Sequence, residues 1–164
     1  MNVIDIIIVV CCIPAVFRGI SKGFVAQAAS LVSLVLGAWL SFKFSGPVAG
    51  WLKSFTEMNG TLLQVIAFVL ILVIVVLILD LVGKTLDKLI KVVMLGWLNK
   101  LLGVAFALLK ALLVIGLVIL LFDAVYTKVP FVSTKVLDES ILYHPVKDIA
   151  DIVFPYLKSL IFNK

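Results

Sequence analysis

The chain has 164 residues, of which 64% are apolar and 14% charged, against about 45–50% and about 25% in soluble domains. A domain this small has too much surface for its volume to hide so many apolar side chains from water. A water-soluble enzyme or a nucleic-acid-binding domain is thereby disfavoured. The net charge of +5 points to membrane topology and anionic lipid rather than to nucleic acid.

Four stretches approach the roughly 20 residues that one helical crossing of a bilayer needs. The first, 3–17, is short and carries Asp5. A cleaved signal peptide would need a basic leading region and a small-residue cleavage site. Asp5 stands in place of the first, and Pro14-Ala15-Val16-Phe17-Arg18 lacks the second, so the segment reads as a retained, short or tilted helix. Segments 24–42 and 61–79 are free of charge, and 101–122 carries the single charge Lys110. Residues 69–79 are apolar without a break, whereas a membrane strand would alternate apolar and polar positions. Helices therefore win, because in lipid the backbone must satisfy its own hydrogen bonds. The fold expected is an all-α integral membrane protein with four transmembrane helices in residues 1–123.

Basic residues in short loops set orientation. Arg18 and Lys22 lie in the first loop, and Lys84, Lys88, Lys91 and Lys100 in the third; the second holds only Lys43 and Lys53. The first and third loops are thus expected on the cytoplasmic side and both termini outside. From Lys84 to Met94, Lys84, Lys88 and Lys91 share one helical face with Asp87, while Leu86, Leu89, Ile90 and Val93 share the other. That pattern suggests an amphipathic helix at the interface, its lysines among anionic headgroups; a plain continuation of the third helix is the alternative.

From Asp123 onward the composition changes, and Pro130, Pro145 and Pro155 divide the tail into short pieces. Residues 124–164 are expected to form one or two short amphipathic helices resting on the outer surface.

Candidates for chemistry are few. Cys11 and Cys12 are adjacent on a helix and point in different directions, without the CxxC spacing of a redox pair. His144 is the chain's only histidine, and a zinc site needs three or four ligands. Gly83-Lys84-Thr85 resembles the end of a phosphate-binding loop, but Ile78 occupies the place of its first glycine and no strand precedes it. No catalytic, cofactor or metal-binding set is expected, and the chain reads as a non-enzyme.

Small residues recur every four positions: Ala29, Ser33, Gly37 and Ser41 on the second helix, and Gly103, Ala107 and Ala111 on the fourth. Such stripes let helix backbones approach closely in lipid, where packing drives association. The partner helix lies within the chain, in a second copy, or in another inner-membrane protein. Lys110 falls near the bilayer centre, where a charge costs about 2.5–3.5 kcal/mol on insertion scales. Asp80 and Asp5 are its candidate counter-charges. Side chains lean toward their helix N-terminus, which favours Asp80, directly or through water. The competing arrangement leaves Lys110 alone and pairs Asp80 with Lys84 one turn later.

Taken in order, Asn2-Val3-Ile4-Asp5-Ile6-Ile7, Phe17-Arg18-Gly19-Ile20-Ser21-Lys22-Gly23-Phe24 and Leu98-Asn99-Lys100-Leu101-Leu102-Gly103 resemble the colicin V production protein family of small bacterial inner-membrane proteins. They mark an aspartate early in the first helix, a basic glycine-rich hairpin (Arg18, Gly19, Lys22, Gly23), and a glycine-marked entry to the fourth helix. The resemblance implies a bacterial inner-membrane protein supporting colicin V production or export and envelope homeostasis, and it supplies no biochemical activity. A partner-dependent membrane protein is the leading expectation. A small oligomeric channel or transporter using Lys110 with Asp80 or Asp5 is the alternative, and an intramembrane enzyme using Cys11 or Cys12 a remote third.

Overall fold

The computed structural model describes residues 3–90, 96–126 and 140–155, all of the regular structure being helical. The helices are α1 (Val3–Lys53), α2 (Gly60–Ile90), α3 (Gly96–Tyr126) and α4 (Tyr143–Val153). Three of them, α1, α2 and α3, contain stretches long and apolar enough to cross a membrane.

The expected loop at 18–23 is absent, because helix continues to either side of Gly23 alone. Gly23 has φ 75° and ψ −179°, a region essentially confined to glycine. The residues before and after it meet α3 in opposite order. Gly19 lies against Val104 and Ile7 shares a cavity wall with Val118, so the arm 3–22 runs antiparallel to α3. Phe24 meets Phe106 edge-on at 4.9 Å and Ser30 meets Lys110, so the arm 24–53 runs parallel to it. The 51-residue α1 is therefore a helical hairpin folded at a single residue.

The second arm lies between α2 and α3, which touch one another only slightly. It is antiparallel to α2: Gly37 faces Leu72, Val75 and Val76, and Ser30 faces Asp80. Successive segments thus alternate in direction. The core joins Leu34 and Ala38 of α1, Phe68 of α2, Leu113, Leu117 and Leu120 of α3, and Ala150 and Phe154 from α4 and its end. The outer surface is apolar, with Leu77 64% and Phe17 68% exposed. That inverts the soluble pattern, as expected where lipid is the solvent.

Helix boundaries also differ from those expected. The second arm extends eleven residues past Phe42, through Pro47, to Lys53, and α2 continues to Ile90. Residues 84–90 are therefore a continuation of α2, not a separate interfacial helix; Lys91 lies outside the described residues, as do the side chains of Lys84 and Lys88. A bilayer rewards a continuous helix because every interior backbone group stays satisfied, so polar residues at the ends of an apolar run do not terminate it.

In the tail, α4 lies alongside the last third of α3 and runs antiparallel to it. Tyr143 and Lys147 meet Asp123, and Ala150 meets Gly116. A Cβ on Gly116 would come within 2.5 Å of Ala150 Cβ and 2.8 Å of Val146 O. The missing side chain is what lets α4 approach so closely. Residues 156–164 lie outside the described part.

Candidate functional site

The hairpin end is built from three glycines and two amides. A Cβ on Gly19 would lie 2.5 Å from Val104 Cα, and a Cβ on Gly103 would lie 2.5 Å from Gly19 O and 2.8 Å from Gly23 C. Here two backbones touch with no side chain between them. The reversal at Gly23 interrupts the helical hydrogen bonds, and orphaned helix-end groups need partners in lipid. Asn99 Oδ1 accepts the N–H of Phe24 at 2.9 Å, and Gln27 Nε2 donates to the carbonyl of Arg18 at 3.1 Å. Arg18 and Lys22 are exposed beside this turn.

Two turns along the second arm, a polar chain crosses the bundle. Lys110 Nζ on α3 donates to Ser30 Oγ on α1, and Ser30 Oγ donates to Asp80 Oδ1 on α2 over a long 3.5 Å. Lys110 and Asp80 are thus brought to the same region, with the serine hydroxyl between them and no direct ion pair. The hydroxyl gives the Lys110 ammonium a partner inside the bundle.

Asp5 takes no part in that chain. It is 1% exposed and accepts from Ser140 Oγ at 2.7 Å and from Leu142 N–H at 3.0 Å. Ser140 Oγ in turn accepts the N–H of Tyr143 at 3.2 Å. The aspartate therefore satisfies donors at the start of α4, 135 residues away in the chain. At the same end, Asp123 accepts from the Tyr143 hydroxyl at 3.0 Å and pairs with Lys147. Two carboxylates thus hold α4 in its groove.

The small-residue stripes divide by position. Ser33, Gly37 and Ser41 are buried while Ala29 is exposed. A Cβ on Gly37 would lie 2.9 Å from Val76 Cγ2, so the lower part of that stripe serves α2 within the same chain. Ser33 and Ser41 return their hydroxyls to the carbonyls of Ala29 and Gly37, at 2.9 and 2.6 Å, which hides their polarity within the helix. On α3, Gly103 and Ala107 are buried and Ala111 is half-buried.

Between the first arm of α1 and α3 lies a cavity of about 430 Å³. Its walls are apolar, and Arg18, Gln27 and Lys110 close one end. Cys11 lines it and Cys12 does not; both are free thiols. His144 is exposed and stacks edge-on with Tyr143. Among the described residues no three His, Cys, Asp or Glu side chains gather as a metal site would require.

Sequence reasoning missed Ser30, Asn99, Gln27, Gly116 and the Asp5–Ser140 contact. Gly116 carried a readable signal, a lone glycine within an apolar helix. The others are single polar residues whose partners lie 50 or more residues away or, for Gln27, across a turn not expected to be so tight.

Compared with known families, residues 4–151 match the colicin V production protein, in agreement with the resemblance carried by the three sequence segments. No curated protein and no solved structure matches the chain.

Proposed function

Because the chain belongs to the colicin V production protein family, we propose that it is a non-enzymatic inner-membrane protein that supports toxin export or envelope homeostasis by assembling with other membrane proteins or with itself. The observation that carries this reading is the one-sided packing of α2. Leu63, Ala67 and Phe68 are buried toward α1, whereas Leu70, Val73, Leu77 and Leu81 remain exposed on its far side. In lipid such a face needs no cover, yet it is a broad, smooth helix surface on which a partner helix can pack.

In this reading the two arms of α1, α2 and α3 make four crossings. Supporting that count, the segments alternate in direction, and the twenty residues of the arm 3–22 reach about 30 Å at 1.5 Å per residue, the thickness of a hydrocarbon core. Arg18, Lys22 and Lys100 cluster at the Gly23 end, which makes it the cytoplasmic end under the positive-inside rule. Both termini then lie outside.

The test places photo-crosslinking residues at Leu70 and Leu77 in cells, and scores gene deletion for sensitivity to detergents and for loss of peptide export. A discrete adduct together with a deletion phenotype is expected. The absence of both an adduct and a phenotype defeats the reading. A second reading, a small oligomeric channel, draws on the Lys110–Ser30–Asp80 chain, because ionisable groups at this depth mark ion pathways. It requires ion flux in proteoliposomes that Lys110→Leu abolishes, and wild-type flux no higher than that of empty vesicles removes it.

A further inference from the structure

The cavity between the first arm of α1 and α3 is chemically two-ended. We propose that it binds one anionic phospholipid from the surrounding bilayer, its phosphate held at Arg18 and drawn inward toward the more deeply placed Lys110, and one acyl chain along the apolar wall beyond them. The proposal needs only that the chain resides in a membrane, so it stands or falls separately from the export role.

The cationic end comes from two helices: Arg18 from the first arm and Lys110 from α3, with the amide of Gln27 beside them. No carboxylate lines the cavity. Asp80 meets Lys110 only through Ser30, from the opposite side of α3's contact with the second arm. Among the described residues neither cation forms an ion pair. A phosphate diester offers acceptor oxygens to both the guanidinium and the ammonium, and charge-assisted bonds of this kind are among the stronger hydrogen bonds.

From Arg18 the wall continues to Ile7 on one side and from Ala107 to Val118 on the other. Eleven residues at 1.5 Å each give about 17 Å, close to the half-thickness of an about 30 Å hydrocarbon core. That is the reach of one acyl chain. Ile7, Cys11, Val114 and Val118 are all exposed, so the groove opens sideways and a lipid can enter without leaving the bilayer. Free phosphate would engage the cations but leave the wall unfilled. A zwitterionic lipid would fill the wall but bring its own cation to Arg18 and Lys110.

The full chain, purified in mild detergent and washed exhaustively, is assayed for retained lipid by mass spectrometry after supply of phosphatidylglycerol and phosphatidylcholine in equal amounts. Wild type is expected to retain phosphatidylglycerol preferentially. The Arg18→Gln/Lys110→Gln variant should lose about tenfold or more of that retention, the scale of one charged hydrogen bond. Ala111→Phe, which fills the groove and leaves both cations in place, should lose it too. Lys100→Gln, at the same end but outside the cavity, should retain it as wild type does. Elution volume and thermal midpoint identify any variant that fails to fold, and the remaining one then decides. Equal retention of the two lipids by wild type, or undiminished phosphatidylglycerol in a folded double variant or in folded Ala111→Phe, overturns the proposal.

Discussion

At the end where the chain reverses, Gly19, Gly23 and Gly103 bring two backbones into contact, and the Asn99 and Gln27 amides, with the Ser21 hydroxyl, satisfy backbone groups at the break. At the opposite end Asp5 and Asp123 collect hydrogen bonds and an ion pair from α4 and the residues just before it. The first junction is steric and admits no added atom; the second is polar and depends on each donor finding its acceptor. Sterics of this kind fail abruptly when a methyl group is added, whereas a polar junction weakens by increments. The difference also separates roles. The glycine junction sets the path of the bundle, and the aspartate junction holds the start of a short helix against α3.

Gly103→Val should break the comparison most completely. Its side chain meets the Gly19 and Gly23 backbones, which cannot retreat like the tip of a flexible side chain. Overpacking costs about 1–3 kcal/mol and occasionally more, and this site belongs at the upper end. Denaturation of the purified protein by SDS, followed by circular dichroism, should show the transition at a markedly lower detergent fraction; an unchanged transition contradicts the close approach.

Asp5→Ala comes next. It strands the Ser140 hydroxyl and the Leu142 N–H at a buried position, and an unsatisfied buried donor costs about 1–3 kcal/mol. The expected effect is local. In a background with Cys11→Ala and Cys12→Ala, an Ala150→Cys probe, silent when α4 is docked, should become reactive to maleimide. The SDS transition of the remaining bundle should move less than with Gly103→Val. A transition that moves more would mean that the polar junction, and not the glycine one, holds the bundle.

Asp123→Asn sharpens the contrast within the polar end. The Lys147 and Asp123 side chains are 32% and 21% exposed, and partly exposed ion pairs contribute about 0–1 kcal/mol. The asparagine oxygen can still accept from Tyr143, so the same maleimide probe should react only slightly faster than in wild type. Gly46→Ala is the smallest expected change. Nothing lies within 4 Å of a Cβ there, and alanine favours helix over glycine by about 1 kcal/mol, so the transition should stay put or rise slightly.

Much of this arrangement was legible in the residues. Long apolar runs announced the helices, and the bilayer leaves little choice of secondary structure once the runs exist. The Arg18–Gly23 segment announced a turn, although not that one glycine would suffice for it. The spacing of Ser33, Gly37 and Ser41 pointed to a face of close approach, but the meeting of Gly37 with α2 was not legible in it. Lys110 and Asp80 were recognisable as candidate partners by charge, while the hydroxyl between them was not, because an isolated serine in an apolar helix looks the same whether it bonds its own backbone, as Ser33 does, or a neighbouring helix, as Ser30 does. Asp5 stood out by its charge as the less favoured counter-charge for Lys110, and its contacts with Ser140 and Leu142 were not legible, since those donors lie in a segment read as surface.

What the sequence by itself determined is the solvent, the secondary structure and the places of close approach, because hydropathy, helix period and the absence of a side chain are local properties. Only the tertiary structure decided that Gly23 folds α1 back along α3, that α4 packs along the end of α3, and that Asp5 holds the start of α4. Each of these depends on which distant donor, acceptor or backbone arrives at a given point, and no local pattern along the chain carries that information.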